Sequence, residues 1–276
     1  MLIDTHCHIN IMAKDTFDTV LLPADFQVAQ EIILEAHQAQ VSRILNISTS
    51  VIESYNSIAL AKQFPNYIAA AVGIHPNDLT HTWQNDIQEI KKLLTQNKQH
   101  IKAIGECGLD FHYPDYNTQR QYAGFKAQIE LALEHDFPLV IHTRDAHDET
   151  LKVLESFQDT RLRGVIHCFS ETLSFAHDAL ALGFVLGIGG TVTYPKNHEL
   201  RAVVQTIGLE HIILETDAPY LTPQILRGTK NHPKNIVLIA QYIAQLLEQE
   251  FTTVATRTTA TAQRLFNFNT QLHHHF

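Results

Sequence analysis

Short apolar runs alternate along the chain with longer amphipathic ones. The short runs are 2–8 (LIDTHCH), 43–48 (RILNIS), 67–73 (YIAAAVG), 101–106 (IKAIGE), 138–142 (PLVIH), 163–168 (RGVIHC), 184–188 (FVLGI) and 211–216 (HIILET). They are nearly continuous in hydrophobicity, which predicts parallel strands buried on both faces. The clearest helical pattern is 118–136, where Phe125, Ile129 and Leu133 recur every four residues. Thr118 with Gln121 predicts a capping box at its start. Further helices are expected near 25–40, 51–64, 84–97, 147–157, 172–182, 197–207 and 235–249. A terminal helix over 251–270 should pack on the outside. Eight strands, each followed by a helix, predict an α/β fold: a TIM-type (β/α)8 barrel, one domain over 1–276. An open doubly wound sheet is the rival arrangement.

The unusual polar residues fall on this map in one place. His6 and His8 end the first strand, Glu106 the fourth, His142 the fifth and His167 the sixth. His75 follows the third and Asp217 the eighth. All are carboxyl ends, and in a barrel those ends converge on one rim, where such folds carry their active sites. A single histidine of this kind would be read as an ordinary core or surface residue. The set at one rim is read as a site. Strand alternation places His6 and His8 on one face and turns Cys7, Cys107 and Cys168 toward the helices, as packing residues and not ligands. Asp4 and Glu215 share parity with His6 and Asp217 and are expected to orient ligands from below.

Imidazole and carboxylate without thiolate suit zinc, manganese or magnesium-like divalent ions. Six candidates (His6, His8, Glu106, His142, His167, Asp217) exceed the three protein ligands of a mononuclear catalytic zinc site and fit two ions better, with Glu106 central in strand order. Arg144, His75, Arg227, Lys230 and Asn231 are candidate donors to an anionic substrate.

Composition narrows the rest. Of 276 residues, 45% are hydrophobic and 18% charged, enough for a large core. Net charge is −9, which argues against a general nucleic-acid coat or a membrane-surface binder while leaving room for a local basic cleft. Three cysteines without a secretory signal favour a reducing cytoplasm. There is no P-loop and no GxSxG. The GIGG at 187–190 lacks dinucleotide-site spacing and is read as a place of close backbone approach.

Seven segments occur together: DTHCH at 4–8, GIHP at 73–76, GECGLD at 105–110, IHTR at 141–144, HCFS at 167–170, ETDAPYL at 215–221 and RGTKN at 227–231. With these the sequence resembles the TatD family of metal-dependent deoxyribonucleases and hydrolases. The resemblance implies a barrel with one or two divalent ions and hydrolysis of phosphodiester bonds by a metal-activated hydroxide. By it, His6, His8 and Asp217 hold one ion, His142 and His167 the other, and Glu106 bridges, with Asp217 and Glu106 catalytic. Single-stranded DNA is the expected substrate ahead of duplex, cleaved exonucleolytically. No membrane and no obligate protein partner are expected. An amidohydrolase-like enzyme acting on a small amide, lactone or ester is the alternative. Three positions depart from the family pattern: Glu171 after HCFS, His232 in the 231–233 segment, and Thr261 before RLF.

Overall fold

The computed structural model describes residues 1–268. Positions 269–270 of the expected last helix, and the histidine-bearing tail, lie outside them. Eight strands run in sequence order around one sheet: β1 (Leu2–Cys7), β2 (Val41–Asn46), β3 (Ile68–Val72), β4 (Ile101–Asp110), β5 (Leu139–Arg144), β6 (Gly164–Ile166), β7 (Phe184–Ile188) and β8 (Ile212–Leu214). Every ladder is parallel. β8 meets β1 through a bridge between Cys7 and Ala218 in place of a full ladder. The N–H of Asp217 donates to His6 O and that of His8 to Ala218 O, both at 2.8 Å. The barrel therefore closes at the residues that flank the candidate site.

The helices are α1 (Ile9–Lys14), α2 (Pro23–Gln38), α3 (Val51–Gln63), α4 (Trp83–Asn97), α5 (Thr118–His135), α6 (His147–Glu155), α7 (Leu173–Ala181), α8 (His198–Ile207), α9 (Ile236–Leu246) and α10 (Phe251–Phe266). The short α1 was not legible in the pattern. α5 opens differently from the expected box: Asn117 is the cap, accepting the Arg120 N–H at 2.9 Å. Gln121 turns instead to the end of β4, exchanging two 2.8 Å hydrogen bonds with the backbone of Asp110.

β4 runs four residues beyond the expected 101–106. Its pairing with β5 shifts register between Ile104 and Cys107. Ile104 and Cys107 both join the layer between sheet and helices. Only an irregularity lets residues three apart share a face. The same irregularity turns Glu106 to the barrel interior.

Inside the barrel Ile3, Leu45, Ile47, Val140, Val165 and Ile213 pack with Ala69, Ala71 and Ala103. Ala262 and Phe266 of α10, with Phe268, belong to this inner cluster. The terminal helix thus packs partly into the amino-terminal end of the barrel, not wholly on its outside. The GIGG segment behaves as expected. A Cβ on Gly190 would meet Leu221 O at 2.4 Å, and one on Gly187 would meet Glu215 Oε2 at 2.3 Å. Glycine here leaves room for a backbone crossing and for a buried carboxylate. Among the described residues, no helix is long and apolar enough to cross a membrane.

Candidate metal centre and cleft

The six candidate ligands meet at the carboxyl end of the barrel. His6 Nε2 lies 3.3 Å from His8 Nε2, 3.4 Å from Glu106 Oε2 and 3.5 Å from Asp217 Oδ1. His8 Nε2 is 3.3 Å from the same Asp217 oxygen. The ligand atoms of His6, His8 and Asp217 thus lie 3.3–3.5 Å from one another, and a Glu106 oxygen lies 3.4 Å from His6. That is about the edge of a tetrahedron whose bonds are ~2.0–2.1 Å, the length of zinc–imidazole and zinc–carboxylate bonds. The donor set and its spacing fit a divalent ion.

The other oxygen of Glu106 faces a second group. Oε1 is 2.8 Å from His142 Nδ1, and 3.9 Å from both His75 Nε2 and His167 Nε2. The rings of His6 and His167 stack at 3.4 Å between centroids. Glu106 is therefore the one carboxylate with an oxygen toward each group.

Two carboxylates face the second set. Glu215 Oε1 approaches His167 Nδ1 at 2.9 Å, off the hydrogen-bond direction, and accepts the Cys168 N–H at 2.6 Å. Asp110 Oδ2 is 3.1 Å from His142 Nε2 and takes a 3.0 Å bond from the Asn77 amide. The Asp110 hydrogen bond fixes the orientation and tautomer of His142, while Glu215 sets a buried negative charge against the His167 ring. The position of Glu215 was legible; Asp110 was missed because β4 was ended too early. It shares parity with Glu106, four residues on. Asp4 serves differently from expectation. It accepts from the Thr216 hydroxyl (2.6 Å) and N–H (3.0 Å), and so braces β8 and not a ring.

His75 also has a defined tautomer. Its Nδ1 accepts the Asn77 N–H at 3.2 Å. Burial, and then the neighbouring His142, lower its pKa to about 3. The ring is neutral with its proton on Nε2, which makes it a donor into the cleft, although it also groups with Glu106 and His142 at spacings that could hold an ion.

The charge balance around the cluster is steep. Burial opposes ionisation of Glu106, yet His142 and His6 hold it well below the usual carboxylate range. Burial also opposes a charge on His167, but Glu215, with Glu106 and Asp217, raises it to about 10. His8 and His142 are raised in spite of burial by their carboxylate partners Asp217, Asp110 and Glu106. In the protein chain alone His167 therefore binds a proton at neutral pH that a cation must displace, and the upward shifts of His8 and His142 act in the same direction. Metal binding at pH 7 is expected to release protons, with affinity rising as pH climbs toward 10. Calorimetric titration with Zn2+ in two buffers of different ionisation enthalpy checks this. Equal heats in both buffers would contradict the protonation pattern.

A cavity of about 680 Å³ opens over the cluster, lined by Glu106, His142, Asp217 and also by His75 and Arg144. The remaining anion-binding candidates lie elsewhere. Asn231 is buried and its amide donates to Thr216 O at 2.8 Å, so it holds the β8 exit together. Lys230 pairs with Asp15 at 2.6 Å on the surface, and Arg227 lies 4.6 Å over the Tyr194 ring. None of the three lines the cavity. A motif fixes the order of residues along a loop but not which of them turn inward.

Parity held for two cysteines. Cys7 and Cys107 are fully buried in the sheet–helix layer. Cys168 departs: it lines the cavity, because β6 ends at Ile166 and Cys168 adopts φ +49°. Burial and three nearby carboxylates push its thiol far up, and it belongs to none of the candidate metal-holding groups among the described residues. The three departures from the family pattern have local partners. Glu171 pairs with His147 at 2.9 Å, the Lys234 N–H donates to His232 Nδ1 at 3.1 Å, and the Thr261 hydroxyl donates to Glu210 O at 3.1 Å.

Comparison with known proteins gives one consistent result. A family profile described as TatD related DNase matches residues 3–267. YabD of Bacillus subtilis, described as an uncharacterized metal-dependent hydrolase, is 33% identical over 98% of this chain and 100% of its own length. A 3'-5' ssDNA/RNA exonuclease TatD from Pectobacterium parmentieri is 34% identical over 87% of this chain and 94% of its own. Among solved structures, the TatD homolog YJJV from Escherichia coli superposes with a TM-score of 0.87 at 28% identity, covering 97% of this chain and 98% of that one. A Listeria monocytogenes lactonase, at TM-score 0.66 and 12% identity, covers 97% of this chain and 95% of its own and shares the fold alone.

Proposed function

The chain belongs to the TatD family, and from that premise we propose that it is a metal-dependent nuclease cleaving phosphodiester bonds of single-stranded nucleic acid, acting from an end. The observation that carries this reading is the convergence of His6, His8, Glu106 and Asp217 within hydrogen-bond spacing beneath an open cavity. His6, His8 and Asp217 would hold one divalent ion, His142 and His167 would hold a second, and Glu106 would serve both groups. Divalent ions bound there supply a water of lowered pKa and offset the charge gained by the phosphoryl oxygens.

The chain's own residues do the rest. His75, whose Nδ1 is occupied by the Asn77 N–H, donates from Nε2 to a nonbridging oxygen. Arg144, exposed at the end of β5 and within the cavity wall, holds a phosphate. The carboxylate oxygen of Asp217 that does not face His6 and His8 orients the attacking water and takes its proton. Asp110 keeps His142 aimed, and Glu215 sets its charge against His167. The lactonase-like neighbours share only the fold, and no contact in the cleft favours a lactone or ester over a phosphodiester.

The test is turnover of single-stranded DNA, duplex DNA, RNA and small esters, with chelator-treated protein as control. Hydrolysis of esters and of no oligonucleotide would overturn the reading. A second expectation concerns Arg144→Ala. It should raise KM several-fold with little change in kcat, and the difference from wild type should shrink as salt rises, since the lost contact is itself screened. A loss confined to kcat would remove Arg144 from phosphate binding.

A further inference from the structure

Phe17 and Tyr113 stand 59% and 53% exposed, and both line the cavity over the candidate metal cluster. They sit on different rim loops, Phe17 between α1 and α2 and Tyr113 between β4 and α5. Neither ring is needed for the core, and exposed aromatics gathered at a cleft mouth mark a binding surface.

The loop under Phe17 is held unusually firmly. Glu53, fully buried, receives the Lys14 ammonium (2.7 Å), the Asp18 N–H (2.7 Å) and the amides of Asn10 (2.8 Å) and Asn56 (3.0 Å). Asn56 also accepts the Leu21 N–H at 3.0 Å and donates to Thr19 O at 2.8 Å. The backbone is tied on both sides of Phe17 while its ring stays in solvent. Tyr113 is braced as well. The Phe111 N–H donates to Arg144 O at 2.9 Å, and His112 pairs with Asp145 at 2.8 Å. The Arg144 guanidinium lies 5.7 Å from the Tyr113 ring centroid, so an anion site and an aromatic face are neighbours.

We infer that Phe17 and Tyr113 are preformed stacking platforms for unpaired nucleobases, positioning single-stranded nucleic acid so that its phosphate reaches the metal cluster. The inference rests on the nuclease reading above and deepens it. Charge decides why stacking is needed. With a net charge of −9 the protein gains little general attraction for a polyanion. Base–aromatic stacking is sequence-tolerant and supplies affinity that salt does not screen. A rigid platform binds without an ordering cost of its own. Paired bases in a duplex present no free face, so the platforms select single strands.

The experiment compares Phe17→Ala and Tyr113→Ala with wild type in steady-state hydrolysis of a short thymidine oligonucleotide. A second substrate has the same phosphates but lacks bases at the two nucleotides next to the scissile end. Each substitution is expected to raise KM about 10-fold on the normal substrate, at any salt concentration, with unchanged unfolding midpoints. Wild type should lose about the product of the two factors on the base-free substrate, roughly 100-fold, and the variants should be no worse than wild type there. Phe17→Trp should retain tight binding. Variants that match wild type on both substrates would overturn the inference while leaving nuclease activity intact. Failure of wild type to cleave any oligonucleotide would overturn the nuclease reading, and the inference with it.

Discussion

Asp217→Asn is expected to lower kcat for oligonucleotide cleavage by about 10²–10⁴-fold, the usual cost of losing a general base, with KM nearly unchanged. The substitution isolates charge from shape. Asp217 adopts φ +54°, a left-handed conformation that asparagine tolerates as well as aspartate does, so the backbone should not move. The Asp217 N–H would still donate to His6 O, preserving barrel closure. The amide keeps one oxygen within reach of His8 but has no free carboxylate oxygen to take a proton. His8 and His142, with Glu106, remain to hold the cations. Metal content measured beside turnover separates the two roles. Near wild-type kcat with metal bound would show that Asp217 is not the base.

Glu106→Gln should have the larger structural consequence for the site. Glu106 has an oxygen 3.4 Å from His6 and another 2.8 Å from His142, so one substitution weakens both ligand groups. Loss of a residue that merely orients a ligand typically costs 10–100-fold in metal affinity, and loss of a shared ligand should exceed about 100-fold. Activity should fall to background at ordinary metal concentrations. Glutamine nearly conserves volume, so the fold should persist, as far-ultraviolet circular dichroism would report. Metal content and affinity equal to wild type would contradict the proposed shared role of Glu106.

These residues were legible because a repeating βα pattern assigns strand ends, and strand ends in a barrel share one rim. His6, His8, His142, His167 and Asp217 needed no finer information. Glu106 was found for an incomplete reason: it lies inside a longer β4, and a register irregularity turns it inward. The extra length hid Asp110, whose partner His142 is on another strand. Cys168 was misplaced because alternation holds only while a strand lasts, and β6 stops two residues short of it. Asn231 and Lys230 were placed in the cleft by motif order alone, while hydrogen bonding within the fold directs them elsewhere. Gln121 read as a helix cap for a local reason and proved to serve a distant strand.

The inner position of α10 has a consequence for when the enzyme comes into being. Phe266 fills one end of the barrel, and the ligand cluster at the other end joins His6 to Asp217 across the β8–β1 seam. During synthesis the first strand emerges early and must wait for the eighth, and the barrel floor is sealed only when the last helix follows. Asp217 follows β8, so a chain that stops before Ile212 would hold both early histidines without that acid beside them. The His6–Asp217 side of the candidate cluster is thus a product of long-range closure of the barrel and not of any local segment of the chain.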